Sequence, residues 1–123
     1  MKTSELTGKA LDWAVALIEF PHPDYEDSDR MVYVHGDDEF HYTPSTVWAQ
    51  GGAIIEREEI SVTREFASGR VEWAAWTPAP IRDDAEAFGY GETPLIAAMR
   101  CYVASKLGDE VEVPEELLSC AHD

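Results

Sequence analysis

The sequence is poor in basic residues and in cysteine, and it contains no long apolar run. Nine Lys and Arg stand against 25 Asp and Glu in 123 residues, which gives a formal net charge of −16 at pH 7. The negative electrostatic field of such a chain repels phosphates, so we expect no direct nucleic-acid binding and no binding to anionic membranes. Two cysteines, Cys101 and Cys120, are too few for a disulfide scaffold or a zinc knuckle. No run of about 18 apolar residues can span a membrane, and the amino terminus lacks the apolar segment of a secretory signal, which together predict a cytoplasmic protein.

The apolar content, in contrast, is ordinary. Hydrophobic residues make up 45 % of the chain, which is enough for a chain of this length to bury a core. No internal repeat and no low-complexity tract divides the sequence. We therefore expect one globular domain over residues 1–123.

Two segments have the residue pattern of helices. Residues 4–19 place apolar side chains at helical spacing and form one apolar stripe. Residues 94–107 are apolar on nearly every side, with Thr93 as a cap before them and Gly108 after them. The second segment therefore predicts a buried central helix.

The strand signals are strongest in one hairpin over residues 60–76. Its two halves alternate apolar and polar residues around a three-residue link at 67–69, where Gly69 suits a left-handed conformation. Residues 31–35 and 40–42 indicate a shorter pair of strands, and residues 77–92 a long loop. The predicted fold class is α+β, with two main helices packed on a small antiparallel sheet.

Residues 44–52 combine an aromatic side chain with a glycine pair. We predict a short helical turn capped by Ser45 and ended by Gly51 and Gly52, with the face of Trp48 beside exposed main-chain N–H groups. Such a pairing suits a planar, nucleotide-like ligand, and Arg57 would add a positive charge to the pocket. The alternative is that the glycine pair merely turns the chain and that Trp48 fills the core.

Arg100 is a charged residue in an otherwise apolar helix. An unpaired charge inside a core is costly, so this side chain needs a carboxylate or a bound anion. The structural interpretation pairs it with Asp12, Glu56 or Glu72. The functional interpretation makes it a fork that holds the carboxylate or phosphate of a ligand.

Support for metal binding and catalysis is thin. His35 and His41 flank three carboxylates, but their order matches neither a calcium loop nor a zinc site, and a solvated acidic hairpin explains it equally well. Ser45 lacks a nucleophile-elbow context, and Cys101 lies in an apolar stretch where cysteines are usually inert. We predict no catalytic residue, no metal and no cofactor.

Carboxylates are concentrated at residues 24–39, 83–92 and 109–116. Each concentration is typical of a solvated face. An alternative is that the three concentrations together mimic nucleic acid. They would then occupy the basic groove of a DNA-binding protein, and long-range electrostatic attraction would speed the association.

Three blocks of the sequence carry a resemblance to a known family. The blocks are TSELTG running into ALDWAVA at residues 3–16, PST with WAQGG and IIE at 44–56, and TPLIAAMRCYV at 93–103. Covering roughly half of the chain, they resemble the NinX-like proteins of lambdoid phages and prophages. Val47, where we expect an acidic residue, and Ala53, where we expect proline, depart from the family pattern. The resemblance implies a phage accessory gene near recombination and regulatory genes, and it implies no activity.

Three hypotheses follow. The first is a phage accessory protein of the host cytoplasm that binds rather than catalyses, countering a component of host defence or DNA metabolism through its acidic surface, so that its partner is a basic host protein. The second is a protein that binds or sequesters a small nucleotide signal. Its ligand-binding residues would be Trp48, Gly51, Gly52, Arg57 and Arg100. The third is an enzyme of nucleic-acid metabolism that uses Asp12 and Glu56, and a homo-oligomer remains an open alternative under all three.

Overall fold

Helices and small antiparallel sheets follow one another along the chain. A computed structural model describes residues 1–20, 23–25, 32–34, 40–67, 69–77 and 87–118. The helices are α1 (Gly8–Glu19), α2 (Trp48–Glu58), α3 (Pro94–Leu107) and α4 (Glu115–Leu118). The strands are β1 (Pro23–Tyr25), β2 (Val32–Val34), β3 (Phe40–His41), β4 (Ser61–Ala67), β5 (Arg70–Trp76) and β6 (Phe88–Gly91). Strands β1 to β3 form one sheet and β4 to β6 another, both in sequence order.

The first helix is shorter than predicted. Thr3–Glu5 form a separate 3-10 turn, and α1 begins at Gly8. Gly8 has a φ of +53°, in the left-handed region, so a continuous helix does not run from residue 4 through this position. Leu6, between the turn and the helix, is fully buried. The apolar side chains of the predicted helix therefore pack into one core, but they come from Leu6 after the 3-10 turn and from α1.

An eleven-residue helix replaces the short turn that we predicted before the glycine pair. Helix α2 continues through Gly51 and Gly52 and ends at Glu58, followed by Glu59, whose φ is +55°. The prediction that the glycine pair ends the turn is wrong. Each glycine costs a helix about 1 kcal/mol relative to alanine, and packing around Gly51, described below, outweighs that cost.

The predicted hairpin is confirmed. Strands β4 and β5 are antiparallel neighbours, and their register extends to Ala67 opposite Arg70. The link therefore has two residues, 68 and 69, rather than the three predicted. Gly69 has a φ of +76°, in the left-handed region expected for it.

A third strand lies within the segment that we predicted as a long loop. β6 pairs with β5 along four residues, from Trp73 opposite Gly91 to Trp76 opposite Phe88. Its glycines read as loop signals in the sequence, but they face α3. A Cβ on Gly89 would lie 2.2 Å from the carbonyl oxygen of Ala97. The glycines thus permit close packing of helix on strand, and residues 78–86 of the predicted loop lie outside the described residues.

Helix α3 is the central helix, as predicted. It begins at Pro94, and the Thr93 hydroxyl accepts a hydrogen bond from the main-chain N–H of Ile96 at 3.1 Å. It ends before Gly108, whose φ is +88°. α3 contacts α1 and α2 on one side and the β4–β5–β6 sheet on the other. Its buried residues therefore join two layers into one core.

The first residues of the chain are held against the segment that follows α3. The main-chain N–H of Thr3 donates to the carbonyl of Asp109 at 2.7 Å, and the Thr3 hydroxyl donates to Gly108 at 2.6 Å. Lys2 and Glu110 form an isolated antiparallel bridge. The chain then continues into the short helix α4.

The smaller sheet contains the strands predicted near residues 31–35 and 40–42. β2 pairs with β3, and β1 adds a third strand that the sequence did not indicate. The acidic link at residues 35–39 lies outside the described residues. The α+β class is confirmed, with a third long helix, α2, and a second small sheet beyond the predicted architecture.

Candidate functional site

The glycine pair lies inside α2 and not in an open loop. The main-chain N–H of Gly51 donates to the carbonyl of Val47 at 2.9 Å, as an ordinary helical hydrogen bond. The expectation of exposed N–H groups at this pair is therefore wrong for Gly51, because the helix uses its donor. Whether these residues bind a ligand stays a prediction.

Gly51 is required by packing. A Cβ at this position would lie 2.3 Å from the carbonyl oxygen of Pro44 and 2.7 Å from a methyl carbon of Leu95. Real Cβ atoms do not approach that closely, so only glycine fits between the 43–46 turn and α3. At Gly52, in contrast, a Cβ would lie 3.4 Å from the ring of Trp48. The two glycines therefore differ in function: the first is a close-packing position and the second is not.

Trp48 is 57 % exposed at the start of α2. It is not the core plug of the alternative interpretation. Its ring is available for stacking with a planar partner. Because Gly52 has no side chain, no Cβ covers the ring at its Cε3 atom.

Arg57 is already engaged with other side chains. Its guanidinium donates to both carboxylate oxygens of Glu19, at 3.0 and 2.7 Å, to the Tyr102 hydroxyl at 2.9 Å and to Glu58 at 2.8 Å. The Tyr102 hydroxyl donates to the same Glu19 carboxylate. Burial acts to raise the pKa of Glu19, but the hydrogen bonds from Arg57 and Tyr102 outweigh it and leave that pKa below its ordinary value. Glu19 thus already occupies the two terminal N–H donors of Arg57 that the anion of a ligand would need.

Arg100 is half-buried and is held by main-chain oxygens. Its Nε donates to the carbonyl of Leu6 at 2.7 Å, and a terminal nitrogen donates to the carbonyl of Tyr90 at 2.6 Å. Among the described residues it forms no ion pair, so the expected pairing with a carboxylate is not seen there. Burial lowers the pKa of the guanidinium, and the charges of Glu92 and Glu72 oppose that effect. The side chain therefore joins three elements: the amino-terminal segment, β6 and α3.

Two adjacent cavities flank Arg100 and share it and Glu72. The larger, of about 550 Å³, lies between β6 and residues 2–4 and 109–110. The smaller, of about 390 Å³, lies beside the start of β5. Trp48, Gly51, Gly52 and Arg57 line neither of these two cavities. Arg57 is nine residues beyond Trp48 on the same helix, a rise of about 14 Å. The described contacts do not gather the five predicted residues into one pocket.

Asp12 is buried at 3 % exposure beneath the 43–46 turn. Its Oδ1 accepts the main-chain N–H of Ser45 at 2.9 Å. Burial raises the pKa of the Asp12 carboxyl to about 6, against smaller lowering effects of the Ser45 hydroxyl and N–H and of the Lys9 charge. No hydrogen bond among the described residues links Asp12 with exposed Glu56. The two carboxylates of the enzyme hypothesis differ in environment, since Asp12 is buried and supports a turn, whereas Glu56 is exposed to solvent.

Cys101 is fully buried in α3, where its Sγ donates to the carbonyl of Ala87 at 3.3 Å. Burial raises the pKa of this thiol to about 12, so at neutral pH it carries its proton and reacts slowly. The histidine and carboxylate cluster around residues 35–41 lies outside the described side chains.

Sequence reasoning missed the aromatic residues of β6. Phe88 and Tyr90 alternate with Gly89 and Gly91, so the glycines face α3 and the rings face outward. Phe88 is 52 % and Tyr90 49 % exposed. Both line the larger cavity. The signal was the alternation Phe-Gly-Tyr-Gly, which has the period of a strand.

These features define a small, acidic α+β protein whose described residues form three long helices and two antiparallel sheets, with two cavities beside Arg100. Residues 2–106 match the family model described as Bacteriophage P22, NinX. The chain therefore belongs to the NinX family of phage proteins, and the resemblance seen in the sequence is confirmed. A comparison with curated proteins returned no match. In the described part of the chain, no helix is long and apolar enough to cross a membrane.

Proposed function

We propose that this protein is a phage accessory protein that acts by binding a basic protein of the host, in the host cytoplasm. The partner would be a component of defence or of DNA metabolism. One observation carries the proposal: among the described residues, the surface displays many carboxylates that have no described ion pair. The family membership supports the phage context of this proposal and adds no activity to it.

The described ion pairs are confined to one corner of the surface. Arg57 and Lys106 pair there with Glu19 and Glu58. The exposed carboxylates without a described ion pair are distributed over the remaining elements: Glu5, Glu56, Glu59, Glu65, Glu72, Glu92, Asp109, Glu110, Glu112 and Glu115. Such a surface repels its own charges and attracts cations, which favours rapid association with a basic partner. It also opposes direct contact with nucleic acid.

The test begins in infected cells and ends with purified components. A tagged copy of this chain is cross-linked during infection, and the captured host protein is purified and titrated against the chain at about 0.05 M and 0.3 M salt. We expect the dissociation constant to rise at least tenfold with salt, because screening shortens the range of surface charges. An acidic partner, or an affinity independent of salt, would refute the electrostatic proposal.

A small-ligand function is the second candidate, and the exposed ring of Trp48 favours it. An indole that is 57 % exposed is available for stacking on a nucleobase. Arg100 lines two cavities, and only two of its donors have described partners. Native mass spectrometry of the protein from host cells distinguishes the candidates. A retained mass of a few hundred daltons favours the ligand, a retained protein favours the partner, and the same spectrum gives the oligomeric state.

A further inference from the structure

β6 forms one wall of the larger cavity, which we call the β6 groove, and Gly89, which faces α3, lines it beside the two outward rings. Phe88 and Tyr90 lie on this wall, and residues 2–4 and 109–110 lie opposite them. Neither ring is needed for the core, because the intervening Gly89 is the residue that meets α3. Two half-exposed aromatic rings on a four-residue strand are therefore positioned for contact with something outside the described chain.

Carboxylates surround these rings. Glu72 lies on the same face of the sheet as Tyr90, because it is two residues before Ala74, which is the partner of Tyr90 in the register. Asp109 and Glu110 line the opposite wall of the groove. Lys2 and Arg100 also line it, so the described lining of the groove carries three negative and two positive side chains.

Glu72 also faces a second carboxylate across the sheet. It is directly opposite Glu65 in the register of β4 and β5. Directly opposed like charges destabilise a strand pair, and among the described residues neither carboxylate has an ion pair. A cation bound beside Glu72 on the central strand β5 would relieve that repulsion.

Arg100 contributes to the groove as a positioning residue. Two of its donors are already used on the carbonyls of Leu6 and Tyr90. These bonds attach the edge of β6 to α3 and to the amino-terminal segment, so they hold the two walls in place. The charge of Arg100 is thereby partly satisfied by main-chain dipoles, and the carboxylates of Glu72, Asp109 and Glu110 form no described ion pair with it.

We propose that the β6 groove binds an arginine side chain of the basic partner. A guanidinium is planar, stacks on aromatic faces and donates two parallel hydrogen bonds to a carboxylate, so the rings of Phe88 and Tyr90 and the carboxylate of Glu72 match it. A lysine ammonium matches the charge but not the stacking. This inference rests on the proposed function and adds the location of the contact and the residue type that it recognises.

The probe is a fluorescent eight-residue peptide of alternating arginine and glycine, with the lysine–glycine peptide as its charge-matched counterpart. Both are titrated by anisotropy against the wild-type chain at low salt. The aromatic variant is Phe88→Ser with Tyr90→Ser, and its control is Phe66→Ser, which removes a 75 % exposed ring from the hairpin. The charge variant is Glu72→Gln, and its control is Glu56→Gln on the exposed side of α2. Circular dichroism melts check that each variant is folded.

We expect the arginine peptide to bind at least threefold more tightly than the lysine peptide. The aromatic variant should lose about tenfold in affinity for the arginine peptide, while Phe66→Ser loses less than twofold. Glu72→Gln should lose more than Glu56→Gln. Equal losses in variant and control would overturn the groove and leave a diffuse electrostatic surface, so the proposed function would survive. If the wild-type chain binds neither peptide, or if the aromatic variant binds the arginine peptide like the wild type, the groove is wrong. The absence of any salt-dependent host partner refutes the proposed function separately.

Discussion

Replacing Asp12 by asparagine should remove a pH-dependent cost that this buried carboxyl imposes on the fold. Asp12 is 3 % exposed, and its described hydrogen bond comes from the main-chain N–H of Ser45 at 2.9 Å. The buried Ser45 hydroxyl lies near the carboxyl, but it completes no hydrogen bond within the described chain. Desolvation therefore dominates, and the pKa of the carboxyl rises from 3.8 to about 6.

The sign of the effect follows from which state binds the proton more tightly. A raised pKa means that the folded protein holds the proton more tightly than the unfolded chain does. The resulting stabilisation is complete below about pH 4 and is lost as the pH rises through about 6. With an unfolded-state pKa of 3.8 and a folded-state pKa of about 6, the contribution falls by about 2 kcal/mol between about pH 4.5 and pH 7.5.

Urea unfolding of the wild-type chain and Asp12→Asn at these two pH values measures the effect. The asparagine oxygen still accepts the Ser45 N–H, and its amide can donate to the Ser45 hydroxyl. We expect the variant to gain about 2 kcal/mol relative to the wild type on going from the acidic to the neutral condition. Glu19, whose pKa is lowered, acts in the opposite sense, but it is present in both proteins and cancels in the difference.

Glu56→Gln is the control, because it removes one negative charge from an exposed position. We expect its pH dependence to follow that of the wild type. Parallel pH profiles for Asp12→Asn and the wild-type chain would show that the carboxyl of Asp12 is not titrating in a buried site, and the reasoning would fail.

Three further predictions concern stability and reactivity. Gly51→Ala should destabilise the fold by about 2 kcal/mol, because the new Cβ meets the carbonyl of Pro44, whereas Gly52→Ala should be neutral or stabilising by up to about 1 kcal/mol; equal melting temperatures would contradict this. Val47→Asp should stabilise the fold by about 1 kcal/mol, because Val47 occupies the N-cap of α2 and its side chain cannot cap the helix. Chemical denaturation measures this change, and a loss of stability would count against a helix start at Trp48. Cys101 should resist alkylation in the native protein and react fully in denaturant, as read by peptide mass spectrometry, and rapid native labelling would contradict its burial.

Features set by local chemistry could be predicted from the sequence. Helix α3 begins and ends where Thr93, Pro94 and Gly108 place its boundaries, because a cap, a fixed φ and a left-handed φ act within a few residues. The β4–β5 hairpin follows from alternation over residues 60–76 and from the positive φ of Gly69. The α+β class and the excess of negative charge likewise follow from pattern and composition. The family could be recognised from three long blocks of sequence that are specific to it.

Features set by close packing between distant segments could not be predicted. Gly51 and Gly89 read as breakers, yet they lie inside a helix and a strand, because a carbonyl from elsewhere in the chain occupies the space of their missing side chains. Arg57 and Arg100 read as candidate ligand residues. Only the tertiary structure showed that Arg57 forms hydrogen bonds with Glu19 and that Arg100 donates to main-chain carbonyls.

The sequence by itself thus determined the class of the fold, the central helix, the hairpin and the sign of the surface charge, since each depends on neighbouring residues or on composition. Only the tertiary structure decided which glycines are packing positions, which charges are already satisfied, and that Phe88 and Tyr90 share a groove with Glu72. The physical reason is range: propensity and capping act within one or two turns, whereas burial and ion pairing depend on which segments fold against each other.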